Sequence, residues 1–70
     1  MQWDKVIHKN ARTEDGQPVG YIAADDAESI IILASGFREY NVPKSHVKAF
    51  NGSEVDLDFT WNELEQYRIT

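Results

Sequence analysis

The longest apolar run in the chain, Ser29-Ile30-Ile31-Ile32-Leu33-Ala34, is β-branched at its centre and carries water-averse side chains at both parities. In an extended strand Ile31 and Leu33 share one face with Ser29, and Ile30, Ile32 and Ala34 share the other. Ser35-Gly36 then offers a turn and Phe37 to Pro43 a returning strand, so the pattern predicts a central β-hairpin. With apolar groups on both faces, one face is expected to meet a barrel interior. The other needs a helix, a loop or a partner.

The flanking segments are shorter and more polar. Trp3 to Ile7 alternates weakly, and Asn10 to Thr13 predicts a short strand that ends at the turn Glu14-Asp15-Gly16. A second strand starts near Pro18, which lacks an N–H and suits a first position, with Val19, Tyr21 and Ala23 on one face and Gly20, Ile22 and Ala24 on the other. Gly20 leaves room for a large neighbour or a sharp bend. Asp25-Asp26-Ala27-Glu28 predicts a solvated turn.

Beyond the hairpin, Pro43 keeps Val42 extended and opens a single helical turn through Lys44-Ser45-His46-Val47. Phe50-Asn51-Gly52-Ser53 predicts a turn, and Glu54 to Phe59 has the cleanest alternation, with Val55, Leu57 and Phe59 inward and Glu54, Asp56 and Asp58 outward. Thr60 and Glu63 have capping-box spacing before a helix of about Trp61 to Tyr67, whose Trp61, Leu64 and Tyr67 are expected to cover one end of the barrel or the second face of the apolar strand. The sum is a mainly β domain over residues 1-70: five to six short antiparallel strands in a small closed or nearly closed barrel, with a short C-terminal helix.

Composition narrows the partners. Seven Lys and Arg against twelve Asp and Glu give a net charge of −5, which opposes phosphate backbones and anionic membranes, so no direct nucleic-acid contact is expected. There is no cysteine, hence neither a disulfide framework nor a thiolate metal site. No stretch resembles a secretion signal or a membrane span, and a cytoplasmic location is expected.

The order of features resembles a PRC-barrel domain, the family of the cytoplasmic domain of the photosynthetic reaction centre H subunit. The likeness rests on Val6 to Gly20, with Asp15-Gly16 and Gly20, and on the corner Val42-Pro43-Lys44-Ser45-His46-Val47. It spans roughly Val6 to Phe59 and is nearest to the stand-alone single-domain members. Many members have Gly where this chain has His8, so the first turn is expected to be wider there or the His exposed. The resemblance implies a barrel that binds other proteins without catalysis and brings no active site.

Candidate chemistry is sparse. Glu54, Asp56 and Asp58 repeat at i, i+2, i+4, about 7 Å apart along a strand, but a hard cation needs ligands converging from several directions, so no metal is expected. Asp25, Asp26 and Glu28 lack calcium-loop spacing. His8 and His46 stand far apart in sequence, and no Ser lies in a nucleophile elbow. Ser45 beside His46 is adjacency, not a triad. No enzyme activity and no cofactor are expected. The predicted role is a protein-binding adaptor that lends an edge strand or apolar face to another protein or a second copy, through Ile30, Ile32, Phe37, Arg38 and Tyr40. The alternative, which only the resemblance implies, is a ribosome- or RNA-associated maturation factor, whose RNA contacts would fall on Lys9, Arg12, Lys44 and Lys48.

Overall fold

A computed structural model describes all residues, Met1 to Thr70. Six strands form one mixed sheet: β1 (Asn10–Arg12), β2 (Pro18–Asp25), β3 (Ser29–Leu33), β4 (Glu39–Pro43), β5 (Val47–Phe50) and β6 (Glu54–Leu57). Their order across the sheet is β4-β3-β2-β1-β6-β5. Short 3₁₀ turns cover Trp3–Lys5 and Lys44–His46, a turn with non-helical backbone spans Ser35–Phe37, and the chain ends in α1 (Trp61–Leu64) and a further 3₁₀ turn, Glu65–Tyr67. No helix is long and apolar enough to cross a membrane.

Two expectations are corrected. The sheet is open rather than a closed barrel, because β4 and β5 are edges with one strand neighbour each. Nor are all pairs antiparallel: β1 and β6 run parallel, with Ala11 opposite Val55. That pairing escapes a sequence reading because the crossover between the two strands consists of the whole intervening sheet.

The β2–β3–β4 meander follows the apolar pattern. Ile30 and Ile32 are fully buried and face Val42 and Tyr40 across the β3–β4 ladder, while Ile31 and Leu33 are half-buried. In β2 the simple alternation fails. Val19 and Ile22 are both buried although they have opposite parity, because Val19 is an extra residue between the Ala11–Gly20 and Arg12–Pro18 pairs. This bulge flips the phase of the strand and turns Tyr21 outward beside Leu33. Gly20 is required by a close approach of backbone: a Cβ there would overlap the Leu33 carbonyl oxygen and lie 2.8 Å from its carbon.

Val55, Leu57 and Phe59 are inward as expected, although β6 itself ends at Leu57. They meet Val6, Ala11 and Leu64 in one continuous core. The Glu63 carboxylate accepts the Thr60 N–H and hydroxyl, each at 3.0 Å. The first helical N–H, from Trp61, instead donates to Asp15 in the β1–β2 turn, 3.1 Å away. Asp15 also accepts the Thr13 hydroxyl. These donors, the Thr13 hydroxyl foremost, hold its carboxyl below the usual carboxylate range. Helix α1 is thereby tied to the far end of the chain. Of its three expected inward residues Leu64 is buried and Tyr67 half-buried, but Trp61 is 38% exposed.

Candidate functional site

The turn between β3 and β4 has an unusual backbone. Gly36 and Phe37 both take left-handed conformations, at φ 73° and 62°, a region that L side chains rarely adopt. The consequence is a knob: the Phe37 side chain is 97% exposed. It projects beside an open groove of about 460 Å³ whose walls include Tyr21, Leu33, Ala34, Arg38 and Glu39. Tyr21 is itself 43% exposed, so the groove joins two aromatic side chains that water reaches.

Arg38 fixes the base of the knob. Its Nε donates to the Ser35 carbonyl and its Nη1 to the Tyr40 hydroxyl, both at 3.0 Å. The guanidinium carbon also stands 6.0 Å from the ring centres of both Tyr40 and Trp61. With several of its donors used internally, Arg38 braces the turn more than it advertises a charge. Trp61 is a member of this surface that its helical spacing hid, since that spacing assigns it to the core.

The five residues expected to meet a partner thus divide. Ile30 and Ile32 are wholly enclosed, and the Tyr40 side chain is buried with only 1% exposure, so these three are core residues of the chain. Phe37 and Arg38 remain at the surface, the first fully and the second partly. The half-exposed apolar groups on the outer face are Ile31 and Leu33, which the sequence offered at equal weight.

Neither sheet edge invites a further strand. Along β4, Glu39 exchanges backbone hydrogen bonds with the C-terminal residues, donating to the Thr70 carbonyl and accepting from the Ile69 N–H, and Tyr40 bridges Arg68. Pro43 closes that edge without an N–H. On β5, Lys48 is an extra residue between the Val47–Leu57 and Ala49–Asp56 pairs. A bulged, lysine-bearing edge resists pairing.

A second cluster lies at the Pro43 corner. His46 Nδ1 lies 2.8 Å from Asp58 Oδ1 and its Nε2 lies 3.2 Å from the Tyr67 hydroxyl, both within hydrogen-bonding distance. The imidazole also meets the Phe59 ring edge-on, with centres 5.8 Å apart. This chain of hydrogen bonds joins the corner, the end of β6 and the last helical turn, and no groove opens beside it. The outward carboxylates do not converge: Glu54 pairs with Arg12 at 2.8 Å and Asp58 with His46. Lys44 is likewise engaged by Asp25, whereas Lys9 and Lys48 are exposed. His8 is exposed and has φ 68°, a conformation that glycine adopts without strain. Compared with protein-family models, curated proteins and solved structures, the chain matches none of them.

Proposed function

We propose that this chain is a non-catalytic protein-binding module that inserts Phe37 into an apolar pocket of a partner protein. The carrying observation is the pairing of near-complete exposure with a left-handed backbone at a large aromatic residue. Strain of this kind persists where the surroundings enforce it, and an aromatic knob is a common anchor of interfaces.

The chemistry of the partner follows from charge and area. At −5 the chain repels a second copy and attracts a pocket with a basic rim. A standard interface needs about 800 Å² per partner. That is a large share of the chain's 4226 Å², so the knob and groove suit a modest contact anchored at one residue. With both edges blunted, docking through the face at the turn is favoured over strand addition.

The test places a photoreactive benzoylphenylalanine at position 37 in cells of the source organism. Any captured protein is then purified and titrated against wild-type chain and Phe37→Asn. The expected result is binding that weakens with salt and falls by about tenfold or more in Phe37→Asn. Full affinity in that variant, or crosslinks only to a second copy, would overturn the proposal.

A further inference from the structure

We infer that the β5–β6 turn is a site of spontaneous covalent modification, at which Asn51 is converted to aspartate and isoaspartate through a cyclic imide closed by the Gly52 backbone nitrogen. In this reaction the Gly52 nitrogen, losing its proton to solvent base, forms a bond to Asn51 Cγ. The Cγ–Nδ2 bond breaks and ammonia leaves. Water then opens the five-membered imide at either carbonyl, giving aspartate or isoaspartate. The net balance is one water consumed and one ammonia released.

Three features of the turn favour the first step. Asn51 Oδ1 accepts the backbone N–H groups of Ser53 and Glu54, each at 2.8 Å. These donors draw electron density from Cγ and would stabilise the oxyanion of the tetrahedral intermediate, as an oxyanion hole does. The Gly52 N–H donates to no group within the chain, so its nitrogen is not committed elsewhere. Finally, Gly52 has φ 97° and carries no side chain, so no Cβ crowds the nitrogen that must turn toward Asn51 Cγ.

The other asparagines lack this setting. Asn10 and Asn41 lie in β1 and β4, Asn62 lies in α1, and each is followed by a residue with a side chain. The two products have different consequences at the turn. An aspartate keeps the same two N–H donors, now charge-assisted. An isoaspartate lengthens the main chain by one atom between residues that set the Phe50–Val55 register.

The experiment incubates the intact protein in warm, mildly alkaline buffer and maps acid formation at each asparagine by peptide mass, with isoaspartate scored by methyltransferase labelling. Asn51 is expected to convert faster than Asn10, Asn41 and Asn62 by about tenfold or more, giving both isomers. Gly52→Ala, checked for folding by its melting curve, should slow the conversion. Equal rates at all four asparagines, or aspartate without isoaspartate at position 51, would overturn the inference. Asn51→Asp should fold and melt like the unmodified chain, and failure to do so would overturn the assignment of aspartate as the benign product.

Discussion

The ammonium of Lys44 sits over the indole of Trp3, 4.8 Å from the ring centre. The same Nζ donates to Asp25 at 2.8 Å and to the Asp26 carbonyl, so one cation ties the N-terminal turn and the β2–β3 turn to the Pro43 corner. The Lys44 side chain is only 14% exposed, which limits screening of the contact. Replacing it with Met keeps the stem and removes the charge. Lys44→Met is expected to cost about 1–2 kcal/mol in urea unfolding with an unchanged slope. After Trp3→Ala, the same replacement should cost less.

Gly20 faces the β3 backbone with no room for a Cβ. Because carbonyl and Cα atoms cannot move aside as a flexible side chain can, Gly20→Ala forces β2 and β3 apart. A loss of several kcal/mol is expected, enough to abolish a cooperative melt in a domain of this size. A melting temperature within a few degrees of wild type would contradict the packing described here.

Phe37 offers the opposite sign. Its side chain has little packing to lose, and Asn tolerates the left-handed conformation better than Phe does. Phe37→Asn is expected to raise stability by a few tenths to about 1 kcal/mol, read from the urea midpoint, while weakening partner binding. A fall in stability would show that the aromatic ring packs on the groove and is not held out for another molecule.

Two carboxylates lend the fold stability that acid removes. Asp26 accepts the N–H groups of Glu28 (2.9 Å) and Ser29 (2.8 Å), which hold its carboxyl below the ordinary range, as the Thr13 hydroxyl does for Asp15. A depressed value means that the unfolded chain binds more protons. The stabilisation is therefore complete above about pH 4 and is lost as pH falls through the lower folded-state values. Asp15→Asn/Asp26→Asn preserves much of the hydrogen bonding without the titration. The urea midpoint of this variant should fall less steeply below about pH 4 than that of wild type.

Local chemistry made the strands and turns legible. Gly16, Gly36 and Gly52 all have positive φ in turns that their dipeptides announced, and Val55, Leu57 and Phe59 point inward as their alternation requires. What stayed hidden depends on residues far apart in sequence. The bulge at Val19 is imposed by pairing with β1, and the phase of β2 could not be read without it. Trp61 fits a helical stripe, yet it stacks near Arg38, which no spacing could foretell. The apolar run around Ile31 gave no basis for choosing its buried face, so the candidate contact residues Ile30 and Ile32 fell on the enclosed side, and Tyr40 is buried with them as the cross-strand neighbour of Ile32.

The parallel pairing of β1 with β6 has a kinetic corollary. Strand β1 is only three residues long, yet it alone joins the β2–β3–β4 meander to the β5–β6 hairpin within the sheet. Its partners are separated from it by most of the polypeptide, as Asn10 opposite Glu54 illustrates. The meander and the hairpin each assemble from near neighbours, whereas this joint requires a long loop to close before any ladder bond rewards it. Zippering of the two pieces along β1 is thus the expected late event of folding, and the place where a refolding chain remains longest open to strand exchange.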